Sequence, residues 1–290
     1  MFRFVDRGYP DPMKTLVTPT PPLGWNSWDC YGASVREDEV LANAEYLAKT
    51  LKPFGWDTVV VDIQWAEPTA DSSRYHAYAE YADLWRITDD FWDKWGLLKD
   101  MFDRCERWYS HVGPGSWPDC DMLPLGHIGL RSVDGGGEDR MTRFTRDEQV
   151  TMMTLWCLFR SPLMFGGELR DNDAWTNSLL TNLGVLQMHR EGSGPRPVTV
   201  GGDHRVWTSQ GVAGLYVALF NLTDADARVG VCWAALGISG PMKVRDLWSG
   251  TEVGWFSENW SADLPPHGCR LGLLTRDGPQ PGVNSSGIRR

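Results

Sequence analysis

Thr58-Val59-Val60-Val61 is an unbroken β-branched run that ends at Asp62, and it constrains the fold more than any other segment. A strand without polar alternation is one buried on both faces. Upstream, Gly24-Trp25-Asn26-Ser27-Trp28 reads as a short strand with a polar, aromatic rim. Between the two, Ser34-Val35-Arg36-Glu37 fits a capping box, and Val40, Ala44, Leu47 and Leu51 follow at helical spacing as far as Gly55. Strand, helix and buried strand in this order predict a parallel sheet covered by helices.

The cycle repeats. Leu84-Trp85-Arg86 precedes the polar cluster Thr88-Asp89-Asp90, and a helical pattern runs from Phe91 to Trp108. His111 to Trp117 leads to Asp119 and Asp121, and a Gly-rich loop at Gly135–Gly137 precedes a helix capped by Thr145-Arg146-Asp147-Glu148. That helix is apolar from Val150 to Phe159 and should be buried. Pro162-Leu163-Met164-Phe165 reads as one more strand and Trp175 to Met188 as another helix.

The character changes after Gly192-Ser193-Gly194-Pro195, which reads as a linker. Beyond it, short alternating runs such as Gly214 to Phe220, Val229 to Trp233 and Val244 to Trp248 are separated by turn residues. The expected organisation is a lead-in at 1–20, a barrel-like domain at 21–192, an antiparallel β-sandwich at 198–275 and a disordered tail at 277–290.

A net charge of −10 argues against a nucleic-acid partner held by counterion release. No stretch approaches the roughly 18 uncharged apolar residues of a membrane span. The six cysteines never form CxxC, which suggests neither a zinc site nor a thioredoxin-type motif, and most are expected to be reduced core residues. Met1 to Thr20 is charged and proline-rich, without the apolar core of a secretory signal, so a cytoplasmic location is expected. The 16 tryptophans serve either as core filler or as flat walls for sugar rings.

Functional residues of parallel α/β barrels crowd the C-terminal ends of the strands. Here Trp28 and Asp29, Asp62, Arg86 and Asp90, and Asp121 and Met122 stand at such positions. Several carboxylates with an arginine and tryptophans suit glycoside hydrolysis, which needs one carboxylate as nucleophile and one protonated carboxyl for the leaving group. An isolated Asp at a strand end can equally be a solvated loop residue or a helix cap, and Asp89-Asp90 could cap a helix beginning at Phe91.

Pro21 to Asp29, Val60-Val61-Asp62-Ile63-Gln64-Trp65, Trp85-Arg86-Ile87-Thr88-Asp89-Asp90, Gly113 to Leu123 and Ser161-Pro162-Leu163-Met164 resemble successive motifs of glycoside hydrolase family 27, the α-galactosidases and α-N-acetylgalactosaminidases. Val244 to Gly250 and Pro266-His267-Gly268-Cys269 are similar to pieces of that family's C-terminal β-sandwich. The resemblance implies an α/β fold, a (β/α)8 TIM-barrel-type domain with an antiparallel sandwich. It also implies a retaining exo-glycosidase that removes terminal α-galactosyl or related residues without metal or cofactor. By the same resemblance Asp90 is the general acid/base. Trp28 is a pocket wall, Asp62 and Arg86 hold sugar hydroxyls, and Asp121 and Met122 line the pocket. Ile63 stands where the family often has a second carboxylate, a loss for which Trp65 and Glu67 could compensate.

One departure is larger. The stretch from Thr20 to Arg190 falls well short of the roughly 250 residues of a complete barrel. About three βα units, the third to fifth, are missing, and the resemblance places the nucleophile there. Thr69 to His76 is faintly similar to the nucleophile segment, which would make Asp71 the nucleophile; otherwise it is a polar loop sealing a deletion. Three readings stay open: a shortened hydrolase of weak or no activity, a sugar-binding relative without a nucleophile, and an incomplete gene product. About five parallel strands are expected, with the strand at Thr58 beside the one at Leu84. The open edge should expose Val59, Val61 and the helix from Val150, which favours a homodimer.

Overall fold

The computed structural model describes residues 19–60, 84–132 and 138–276. Parallel strands β1 (Leu23–Asn26), β2 (Thr58–Val60), β3 (Leu84–Arg86) and β4 (Trp117–Asp119) are followed by a short hairpin of β5 (His127–Ile128) and β6 (Arg140–Met141), and then by β7 (Leu163–Phe165). β1 is flanked in parallel by β2, with Gly24 beside Thr58, and by β7, with Gly24 beside Met164. A Cβ at Gly24 would lie 2.5 Å from the Thr58 carbonyl oxygen, so this pairing needs glycine. β3 pairs with β4. The chain just past β4 joins β7 through the Leu123 amide, which donates to the Met164 carbonyl at 2.7 Å, and the Gly166 amide, which donates back to Leu123 at 3.0 Å. The five parallel strands therefore form one arc in the order β2-β1-β7-β4-β3.

This arc corrects one expectation. Among the described residues β2 pairs only with β1, and β3 only with β4, so these two strands are the ends of the arc rather than neighbours. Val59 is accordingly 38% exposed instead of buried on both faces. The helix Arg146–Phe159 was expected at the open edge but is buried from Thr151 to Phe159. Its capping box forms as the sequence indicates, with the Glu148 amide donating to Thr145 Oγ1 and the Thr145 amide to Glu148 Oε2. Two other helices start later than expected: Glu37–Tyr46, and Trp95–Trp108 with Lys94 as its cap residue.

The segment expected as a linker is strand β8 (Ser193–Pro197), paired with β9 (His204–Gln210). Further strands are β10 (Leu215–Asn221), β11 (Ala227–Cys232), β12 (Met242–Asp246), β13 (Glu252–Phe256), β14 (Asn259–Leu264) and β15 (Cys269–Thr275). They form a six-stranded antiparallel sheet, β13-β12-β15-β10-β9-β8, with the pair β11-β14 alongside. Alternation along β9 and β10 divides the core. Val206, Val217 and Leu219 pack with Val231 and Trp260 of β11 and β14, while Trp207, Ala218 and Phe220 belong to the same core as Phe102 and Phe159 of the barrel helices. One sheet thus serves two hydrophobic layers.

Candidate active site

Arg86, the last residue of β3, is only 10% exposed, and its Nη2 lies 2.8 Å from Asp121 Oδ2 and 3.3 Å from Asp90 Oδ1. Asp121 Oδ2 also accepts the Phe91 amide at 2.7 Å. Asp121 therefore grips both the strand end that carries Arg86 and the peptide that follows Asp90. Its backbone is left-handed, φ 81°, a strained state for a residue other than glycine. Two contacts hold it there: its amide donates to Asp119 Oδ1 at 2.9 Å, and its carbonyl accepts the Trp156 indole at 3.0 Å.

Burial pushes the Asp121 carboxyl up to about 7, with the Asp119 charge adding to the rise and Arg86 and the Phe91 amide opposing it. Asp119 is raised to about 6, again by burial, against the pull of Arg86. Asp29, directly after Trp28, is 1% exposed, and its Oδ2 has no hydrogen-bond partner among the described residues. Burial first, then the charge of Asp121, raise its carboxyl well above the usual range, with Asp90 and Asp93 adding and Arg86 opposing. Trp28 is half-buried, its amide held by Asn26 Oδ1 at 2.9 Å at the end of β1.

The Asp90 side chain is 66% exposed. The segment 87–94 runs as loop before the helix starts at Trp95, so Asp90 does not cap that helix. An open cleft of about 480 Å3 adjoins it, lined by Arg86, Thr88, Asp89, Asp90, Trp92 and Lys94. Met122 is half-buried beside Asp121. Asp62, Trp65 and Asp71 lie outside the described residues. Among the described residues no three metal-ligating side chains converge.

The sequence places Asp29 at a strand end but gives it no role in the site, and it gives Asp119 none. The available signal was the Asp-x-Asp spacing of Asp119 and Asp121 at a strand end, where the first carboxylate can bond the amide two residues on.

Of these features, the C-terminal sandwich has a direct counterpart in the comparisons. The profile of the alpha galactosidase A family matches residues 30–191, and that of the alpha galactosidase C-terminal beta sandwich domain matches residues 201–274. The chain belongs to the alpha-galactosidase A family. Alpha-galactosidase 2 of Arabidopsis thaliana is 31% identical over 202 residues, covering 68% of this chain and 48% of the relative. Alpha-galactosidase of Cyamopsis tetragonoloba is 25% identical over 267 residues, covering 87% and 57%. The chain spans about half the length of these curated relatives. Among solved structures, a family 27 β-L-arabinopyranosidase from Geobacillus stearothermophilus superposes with a TM-score of 0.88 at 36% identity, covering 90% of this chain and 98% of the other. An α-N-acetylgalactosaminidase from Bacillus halodurans, so named provisionally, gives 0.79 at 33%, covering 91% and 99%. The barrel of this family member is shortened, and among the described residues β2 and β3 are the two ends of its arc.

Proposed function

We propose that the chain is a retaining exo-glycosidase by descent, with a pocket for a terminal α-galactosyl or related residue and weak or no turnover. The observation that carries this reading is the Arg86 guanidinium, bound at once to Asp121 and to Asp90 at the mouth of the parallel arc. Asp90 is the proton donor: it is exposed to the cleft where a leaving group would sit, and its neighbour Arg86 fixes its direction. Arg86, Asp121 and Met122 with Trp28 supply the wall and the hydroxyl contacts, and Asp62 and Trp65 complete it. Double displacement also needs a nucleophile about 5–5.5 Å from the acid/base on the other side of the anomeric carbon. Asp71 is the candidate, and weak activity follows because the units that normally carry this group are absent.

A β-L-arabinopyranoside is the second reading. The G. stearothermophilus neighbour is named for that activity, and Ile63 replaces a carboxylate with an apolar side chain, which suits a sugar that lacks galactose's hydroxymethyl group. No described helix is long and apolar enough to cross a membrane. A cytoplasmic homodimer is part of the same proposal, supported by six unpaired cysteines and by the exposed Val59 and Leu84 at the two ends of the arc.

The test is hydrolysis of aryl α-galactoside and aryl β-L-arabinopyranoside by the purified chain beside Asp71→Asn and Asp90→Asn. Slow turnover of one substrate, lost in both variants, supports the assignment. Robust turnover untouched by Asp71→Asn means that another carboxylate is the nucleophile.

A further inference from the structure

Cys105, on the buried face of the helix Trp95–Trp108, and Cys120, the residue after β4, bring their sulfurs to 3.6 Å. Both are fully buried, and among the six cysteines, all of them described, no other sulfur–sulfur contact occurs. Cys30 donates to the Gly166 carbonyl, Cys269 to Thr154, and Cys232 is exposed. The position of the close pair matters because Cys120 separates Asp119 from Asp121. Its own amide is held by Ser161 Oγ at 3.0 Å, in the network that fixes the left-handed turn at Asp121.

We propose that Cys105 and Cys120 are a reversible disulfide site, closed by a small-molecule disulfide and opened by a thiol, set directly beneath Asp121. In closure, the thiolate of one cysteine attacks glutathione disulfide, forming a mixed disulfide and expelling one glutathione thiolate. The second cysteine thiolate attacks the protein sulfur of that mixed disulfide and expels the other glutathione. Two electrons pass from the cysteine pair to glutathione disulfide, and the two thiol protons end on the released glutathione or in solvent. The sulfurs approach by about 1.5 Å to reach bonding distance. Burial holds the Cys120 thiol protonated, so exchange proceeds through transiently opened conformers and takes minutes to hours. The approach pulls on Cys120 between the two pocket carboxylates, and the Arg86–Asp121 contact is the first to be displaced.

The bond is tested without reference to any enzymatic activity. The purified full chain is incubated for hours with glutathione disulfide, quenched with N-ethylmaleimide, digested without reductant and mapped by mass spectrometry. The expected result is a peptide pair joined through Cys105 and Cys120, two hydrogens lighter than the free peptides and released by dithiothreitol, with an altered melting temperature that oxidation no longer produces in Cys120→Ala. Exposed Cys232 reports that the oxidant was competent. Glutathionylated Cys232 with Cys105 and Cys120 only alkylated, or carrying only separate glutathiones, overturns the proposal. A second measurement rests on the sugar-pocket reading: galactose titrated into the reduced and oxidised chain by NMR should bind at least about tenfold more weakly to the oxidised form. Binding by neither form refutes the pocket reading and leaves the mapped disulfide standing, while equal binding by both refutes the coupling to Asp121.

Discussion

Asp121 Oδ2 and the Phe91 amide, thirty residues apart in sequence, meet at 2.7 Å, and through this bond a buried carboxylate fixes the peptide that follows the exposed Asp90. Arg86 completes the bracket from β3. The position of the proposed proton donor therefore depends on Asp121 more than on the solvent-exposed Asp90 side chain.

Asp90→Asn should leave folding nearly untouched, because its ion pair with Arg86 is exposed on the Asp90 side and such pairs are worth at most about 1 kcal/mol. Any turnover should fall about 10²–10⁴-fold. Thermal melting and initial rates on an aryl α-galactoside check both halves. A large drop in melting temperature would show that Asp90 is a structural residue.

Asp121 contributes a pH dependence whose sign follows from its raised folded-state value of about 7 against about 3.9 unfolded. Between those values the folded state holds a proton that the unfolded state has released, so stability from this group falls as pH rises. Below about pH 4 both states are protonated and the contribution levels off. Urea denaturation of wild type and Asp121→Asn from pH 4 to 8 should show the variant gaining on the wild type with rising pH, by up to a few kcal/mol.

Gly166 is pressed against Asp29. A Cβ there would fall 2.1 Å from Asp29 Oδ2 and 2.7 Å from its Cγ, both part of a buried side chain without room to move. Gly166→Ala should destabilise the chain by about 1–3 kcal/mol through overpacking, seen as a lower urea midpoint at unchanged slope.

His267 joins the two domains. Its ring stacks on Trp95 at 3.7 Å and bonds Glu148 at 2.7 Å, and its backbone is left-handed at φ 58°. His267→Ala loses the contacts and keeps the backbone strain, whereas His267→Gly loses the contacts and relieves it. Both should be less stable than wild type, and glycine should recover about 1 kcal/mol relative to alanine. Differential scanning calorimetry gives the order.

Much of the fold was legible because hydrophobic periodicity marks buried elements directly. The capping box at Thr145 and the apolar run to Phe159 became the buried helix their patterns indicate, whereas the β-branched run at Thr58 became a strand but not one buried on both faces. Gly192-Ser193-Gly194-Pro195 misled for a physical reason: β8 is an edge strand paired on one side only, where proline is tolerated and no alternating side-chain pattern is required. The placement of Arg86, Asp90 and Asp121 at strand ends was legible, but their direct contact was not, since it depends on two different strand ends meeting. The contact made by Asp119 left only its Asp-x-Asp spacing as a signal, and the burial of Asp29 left none, because a carboxylate's partner there is a backbone amide or a bare glycine.

A ring has no beginning, and that is what the pairing of β1 with β7 does for this chain. The first and last strands of the barrel portion are neighbours, so material taken from the middle of the sequence removes one sector of the circle without severing what remains. The two halves of the polypeptide stay welded along Leu23 to Trp25 and Leu163 to Phe165, and a loss that would split an open, linearly ordered sheet leaves the described strands here as a continuous crescent.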